Sequence, residues 1–268
     1  MEQRFKFWGI ILLLFLFLVK NTFAQIDTVR LNKAYFKKYF SDTKAIVISP
    51  VKWQQRDWVK LGILASATAG LSLVDRPVAN FFQSHQNKTY DYISSKILEP
   101  FGAEHSLILI SGIFTYGMLA KNKRSVSTSL LALESFALSS LIVRIPKNLV
   151  GRHRPDNCER EGPYAFDGPF TGTSFPSGHT TASFAVASVI ANQYRDHKWI
   201  PITAYSVASL AGLSRIYENK HWFSDVVAGA AIGTLVGNLV SRRSPDSKLS
   251  IVPYGSSNYQ GVKLAYTW

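Results

Sequence analysis

Cysteine is nearly absent from these 268 residues: Cys158 stands alone. That excludes an internal disulfide framework and any cysteine-rich metal site. Acids are scarce too, 17 against 30 Lys and Arg, which leaves a net charge of +13. Such a balance suits anionic partners: phosphorylated substrates, nucleic acid or an anionic membrane surface. Repeats and biased tracts are missing, so collagen, coiled-coil and long low-complexity architectures fall away. Charged residues make up only 18% of the chain and hydrophobic ones 47%, which excludes a disordered polymer and an ordinary polar globule.

What is present begins with an address. Arg4 and Lys6 precede an uncharged apolar run over residues 7–19, and Thr22-Phe23-Ala24 ends in a small residue. This pattern reads as a secretory signal over residues 1–24, the run being shorter than the roughly 20 residues a spanning helix prefers. A basic segment, residues 25–57, follows. Within it Leu31, Ala34, Tyr35, Tyr39 and Phe40 alternate with Lys33, Lys37 and Lys38, a spacing that fits an amphipathic helix on an anionic surface.

Residues 58–243 read as one all-α domain. Six helical stretches, 58–74, 105–120, 125–143, 180–194, 200–213 and 224–241, are apolar nearly all round and rich in Ala, Ser and Gly. Glu134 interrupts the third. Small residues let helices approach closely, so a tight six-helix bundle is expected. Uncharged cores of about 14–18 residues suit buried helices as well as membrane spans. The signal and the basic loop at 121–124 favour an exported bundle that at most dips into a membrane, with integral insertion as the alternative. Residues 244–268 change period: Ile251, Val252, Val262, Leu264, Tyr266 and Trp268 flank Gly255-Ser256-Ser257-Asn258, the pattern of a terminal β-hairpin.

Three motifs punctuate the helices. The third stretch leads into Lys147, Arg152, Arg154 and Pro155; the fourth opens on Pro176-Ser177-Gly178-His179; the fifth ends in Ser214-Arg215, and His221 and Asp225 follow at the start of the sixth. Antiparallel helices joined by short turns bring all three motifs to one end of the bundle. Lys147, Arg154 and Arg215 are cations suited to phosphate oxygens. Ser177 and Gly178 open a helix whose N–H groups and dipole favour an anion. Two histidines supply a base or nucleophile and an acid near neutral pH, and a carboxylate four residues beyond His221 can orient its ring.

These residues resemble a known family, the type 2 phosphatidic acid phosphatases, whose core is shared with class A bacterial acid phosphatases and vanadium haloperoxidases. The family signature, K-x6-RP, PSGH and SR-x5-H-x3-D, stands unbroken as Lys147/Arg154/Pro155, Pro176 to His179, and Ser214/Arg215/His221/Asp225. The resemblance implies a phosphatase acting on phosphate or diphosphate monoesters through a phosphohistidine. In it His221 attacks phosphorus, Asp225 holds the other ring nitrogen, and His179 protonates the leaving oxygen and then activates water. Lys147, Arg154, Arg215, Ser177 and the Gly178 amide hold the phosphoryl oxygens, and neither metal nor cofactor is needed. Expected partners are a phosphorylated lipid or small phosphoester and a membrane surface, not nucleic acid. A vanadium haloperoxidase and a non-catalytic anion-binding envelope protein are the alternatives. His85, His105 and His197 read as structural, and Arg152 as an added charge in the pocket.

Overall fold

The computed structural model describes residue 44 and residues 48–157, 162–166, 168–242, 249–256 and 259–266. The expected signal and the amphipathic segment at 31–40 lie outside the described residues. Helix α1 (Gln55–Leu71) runs through a 3-10 turn into α2 (Asp75–Ser84). The short α3 (Lys88–Tyr92) is capped by Asn87, whose side chain accepts from the Thr89 and Tyr90 amides at 3.1 and 3.0 Å. A π-helical turn (Ile93–Leu98) and a 3-10 turn (Glu99–Gly102) lead into α4 (Glu104–Leu119). There follow α5 (Lys123–Ile142), the short α6 (Arg144–Val150), α7 (Gly178–Gln193), α8 (Trp199–Tyr217) and α9 (Phe223–Arg242). Two extended segments, β1 (Leu249–Ser256) and β2 (Tyr259–Tyr266), pair antiparallel.

The six apolar stretches of the sequence lie in α1, α4, α5, α7, α8 and α9. Helix α7 is the axis, packed against α5, α8 and α9. Its composition explains why: Thr180, Thr181, Ala182, Ser183, Ala185, Val186, Ala187, Ser188 and Val189 are all buried, and none is bulky enough to hold a neighbour at a distance. Its hydroxyls turn back onto their own helix, as when Thr181 Oγ1 donates to the Ser177 carbonyl at 2.7 Å and Ser188 Oγ to that of Phe184 at 2.7 Å. Opposite them, Gly229, Gly233 and Gly237 of α9 recur every four residues and so share one face. A methyl group at Gly233 would run into the Thr181 carbonyl. Larger side chains complete the core, with Ile110, Leu131, Leu138, Val186, Val189, Val236 and Val240 in one cluster.

The outward faces are apolar as well. Gln55–Ser84, Lys123–Val150 and Phe223–Arg242 are long and apolar enough to cross a membrane, and a fourth crossing results if the pair Lys88–Gly102 and Glu104–Leu119, bent by 59°, is taken together. Uncharged cores understate these helices, because charged ends such as Lys123 and Arg242 belong to them. Only 6% of the apolar window in Gln55–Ser84 is buried within the protein. Ile63, Leu119, Ile202 and Leu235 are each more than half exposed. A contiguous apolar surface of this kind marks association with a membrane.

Close α7–α9 packing yields a test. Gly233→Val should overpack the contact and destabilise the protein by about 1–3 kcal/mol, seen as a lowered Tm in detergent. Gly112→Ala, on α4 where an added methyl meets open space, should leave Tm unchanged or raise it.

Candidate active site

All three motifs meet at one end of the bundle because they sit where helices begin or end. Lys147 lies on α6, and Arg152 and Arg154 follow it in the loop. Ser177 is the N-cap of α7, and Gly178 and His179 are its first residues. Arg215 occupies the last turn of α8, His221 the turn beyond, and Asp225 the first turn of α9. The Ser177 amide donates to the Asp225 carbonyl at 3.0 Å, so the N-termini of α7 and α9 abut. Their dipoles together favour negative charge at this point.

His221 is 3% exposed, and its Nδ1 faces Asp225 Oδ2 at 3.7 Å, an ion-pair contact longer than a hydrogen bond. Burial is the main influence on its imidazole. With the nearby Lys147 and Arg154 cations it drives the pKa from 6.5 down to about 4, while Asp225 opposes the shift. His221 is therefore neutral near pH 7, with a free lone pair to offer. Asp225 is wholly buried and cannot turn: its carboxylate accepts from Ser174 Oγ at 2.5 Å, the Trp222 amide at 2.9 Å and Arg152 Nη1 at 2.6 Å.

Arg152 carries the frame further. It is 2% exposed, and its Nη2 donates to Asp75 Oδ2 at 2.7 Å, joining the start of α2 to the start of α9. Asp75 in turn accepts from the Ser224 amide at 2.8 Å and Ser224 Oγ at 2.6 Å. Pro163 O takes two further donors from Arg152, at 2.9 and 2.7 Å. The guanidinium is thus a structural bridge behind the pocket, with its donors committed to protein groups.

His179 and Arg215 converge from the other side on one carboxylate oxygen. Glu99 Oε1 lies 3.0 Å from His179 Nε2 and 3.2 Å from Arg215 Nη1, and Glu218 Oε2 accepts from Arg215 Nη1 at 2.9 Å. Arg215 Nε and Arg154 Nε are buried with no hydrogen-bond partner among the described residues. Lys147 Nζ donates to the carbonyls of Thr173 and, at 3.5 Å, Ser174. Ser177 Oγ is turned into its own helix, accepting from Thr180 Oγ1 at 2.8 Å. Gly102 has no side chain because His179 packs directly on it; any Cβ there would strike the imidazole.

Asp75, Glu99, Ser174, Glu218 and Ser224 belong to this site without standing at any motif position. Asp75 and Glu99 carry no local signal, since their partners lie far along the chain. Ser224 adjoins Asp225, and Glu218 lies midway between Arg215 and His221, so both have a local signal in the sequence. Three further histidines lie apart: His85 Nδ1 contacts the Phe81 carbonyl at 2.7 Å, His105 Nδ1 that of Ile97 at 3.2 Å, and His197 Nε2 sits 3.4 Å from Asp196.

An apex built from two abutting helix N-termini, a neutral histidine backed by a carboxylate, and buried cations is a place for a tetrahedral anion. Among known proteins, residues 128–248 match the model of the PAP2 superfamily. The chain is 40% identical over 104 residues to a lipid A 1-phosphatase of Porphyromonas gingivalis, covering 38% of this chain and 21% of that protein. A lipid A 1-phosphatase of Rhizobium etli is 28% identical over 203 residues, covering 69% and 82% of the two chains. Phosphatidylglycerophosphatase B of Bacillus subtilis is 32% identical over 142 residues, covering 50% and 63%. The fold is shared with the crystal structure of a transmembrane PAP2-type phosphatidylglycerolphosphate phosphatase from Bacillus subtilis, at a TM-score of 0.50 and 24% identity over 68% of this chain and 91% of that one.

Two measurements follow from the geometry. In NMR of histidine-labelled protein, the resonance lost in His221→Ala should titrate near pH 4; titration near 6.5 would contradict the buried site. The sign for stability is set by the same shift: between pH 6.5 and 4 the unfolded chain binds a proton that folded His221 refuses, so stability falls as pH drops through that window. Asp75→Ala, which removes one of the two carboxylates on buried Arg152 and leaves the buried Ser224 amide without its acceptor, should cost about 1–3 kcal/mol in unfolding. Asp156→Ala, which breaks a partly exposed pair with Lys220, should cost under about 1 kcal/mol.

Proposed function

We propose that the chain is a membrane-associated phosphatase that removes phosphate from phosphorylated lipids. The observation that carries this reading is the pairing of His221 with Asp225, 3.7 Å apart, in a buried pocket where the Lys147 and Arg154 cations also act on the imidazole. Relatives named for lipid A and phosphatidylglycerophosphate support a lipid-borne phosphate, as does the apolar exterior of the helices.

The chemistry runs in two steps. Arrival of the substrate phosphate displaces Glu99 from Arg215, and its oxygens take up donors from Lys147, Arg154, Arg215 and the Gly178 amide. Neutral His221 attacks phosphorus through Nε2 while Asp225 steadies the imidazolium that forms at Nδ1. As the P–O bond breaks, His179 gives its proton to the leaving alkoxide. In the second step His179 takes a proton from water, the water oxygen attacks phosphorus, and the N–P bond breaks to release inorganic phosphate and restore His221. The fixed cations and helix ends stabilise the charge that spreads over the equatorial oxygens, with little reorganisation at the moment of reaction.

Charge also suggests an orientation. The short connections at the end opposite the site, between α4 and α5 and between α7 and α8, carry or adjoin Lys121, Lys123, Arg124, Arg195 and Lys198, whereas the short connection at the catalytic end, between α8 and α9, carries Lys220, and Lys147, Arg152, Arg154 and Arg215 are committed to the site. The tendency of short basic loops to stay in the cytoplasm then points the catalytic end outside it. Helix α1 begins at the basic end, so as a span it starts from the cytoplasm; a cleaved signal would deliver residues 25–54 to the other side. Reporter fusions after Arg195 and Asn219 decide this: the first should read cytoplasmic and the second external. Two external readings would restore the wholly exported bundle.

Release of inorganic phosphate from phosphatidate in nanodiscs tests the activity. His221→Ala should lower kcat by at least about 10³-fold. His179→Ala should lower it by about 10²–10⁴-fold on an alkyl phosphate but much less on p-nitrophenyl phosphate, whose leaving group departs without a proton. Absence of turnover on lipid and aryl phosphates alike would refute the reading.

A further inference from the structure

An apolar groove of about 570 Å³ runs down the outside of the bundle between α4, α7 and α8, within the roughly 300–1,000 Å³ typical of ligand sites. Its upper end is made by Phe101 and Ser183, and its lower end by Tyr116, Tyr194 and Trp199. We infer that this groove holds one hydrocarbon chain of the substrate, attached through the leaving oxygen, and that it makes the enzyme selective for chain length. The inference rests on the phosphatase reading above.

Position is the first argument. Ser183 lies one turn below His179, and its Oγ donates to the His179 carbonyl at 2.8 Å and to that of Phe101 at 3.2 Å. Gly102, next to Phe101, packs on the His179 ring. The groove therefore opens beside the residue that must protonate the leaving oxygen, which is where the substrate's organic part has to go. A phosphate held at Arg215 and His221 with its ester oxygen toward His179 points the attached chain along α7.

Surface chemistry is the second. Several hydroxyls in the wall are already occupied: Ser106 Oγ donates to the Phe101 carbonyl at 2.5 Å, Ser125 Oγ is 3.0 Å from the Tyr194 hydroxyl, and Ser183 is spoken for as above. Tyr116 and Thr203 add hydroxyls and Trp199 an N–H, but most of the lining, with Leu109, Ile113, Val186, Ile190, Ala204 and Val207, is hydrocarbon that offers a polar ligand nothing. Dimensions are the third. From Ser183 to Tyr194 the helix rises about 16 Å at 1.5 Å per residue, close to the ~15 Å of one leaflet. The groove is open at its flank, where Leu109, Tyr116 and Trp199 are exposed, so a chain can enter sideways from the lipid.

Gly112 provides the test. It lines the groove on α4, and a Cβ added there meets nothing within 4 Å. Gly112→Phe should thus fill the groove without disturbing the fold, and Gly112→Ala serves as its control. In nanodiscs, wild-type kcat/KM on monoalkyl phosphates should rise with chain length and level off once the groove is full. Gly112→Phe should abolish that rise, lowering kcat/KM for the longest chains by at least about tenfold through KM, with p-nitrophenyl phosphate turnover within about twofold of wild type. A readout independent of catalysis is quenching of Trp199 by an alkyl phosphate brominated at its chain end. Quenching should occur in wild type, vanish in Trp199→Phe and weaken in Gly112→Phe. Unchanged chain dependence in Gly112→Phe, or no Trp199 quenching, overturns the groove assignment while leaving the phosphatase reading intact. Quenching without any phosphate release does the reverse. A change in the size of the solubilised particle in Gly112→Phe would mean that the groove seats a second copy of the chain, and would also overturn it.

Discussion

Arg152 sits between two buried carboxylates, and the rest of the catalytic end is arranged around that fact. A guanidinium 2% exposed, bonded to Asp75 on one side and Asp225 on the other, cannot leave its place without stranding charge in a medium of low dielectric. It pins the start of α2 to the start of α9 and so fixes the carboxylate behind His221. Because Asp225 also accepts from Ser174 and the Trp222 amide, its second oxygen is held toward the imidazole rather than toward solvent. His221 thus inherits its position from a bridge that stands behind it.

Around this polar apex the molecule divides by solvent. Helices α7 and α9 meet through small residues, which lets their N-termini come together and superimpose their dipoles at one point. The same small residues leave the outer faces of α1, α4 and α8 to supply bulk, and those faces are apolar. Charge is concentrated at the two ends of the bundle, and hydrocarbon is presented along the flanks between them. Glu99 belongs to neither region: it lies between His179 and Arg215, and in the proposed reaction the incoming phosphate competes with it for the same donors.

Much of this was legible in the chain itself. Six apolar stretches marked the long helices, and Lys147, Arg154, Ser177, His179, Arg215, His221 and Asp225 could be read as one site because each lies at a helix end within a single short span of sequence. Helix periodicity and cap chemistry are local, so local residues declare them. The membrane-facing surface was harder to read, since the helices extend past their uncharged cores into charged caps, and hydropathy windows do not see which face a neighbour covers. Asp75 and Glu99 could not be read at all. Asp75 meets Arg152 across 77 positions and Ser224 across 149, and neither acid has a neighbour in sequence that signals its role. The groove beside His179 is likewise a property of three helices at once: Gly112, Ala187 and Ala204 are unremarkable singly and form a channel only when packing sets them side by side. Sequence determined which groups could do the chemistry, because bond-forming atoms are carried by residue types. Tertiary structure decided which of them are held, faced and fed, because burial, competing ion pairs and the space between helices exist only once distant segments exclude solvent from one another.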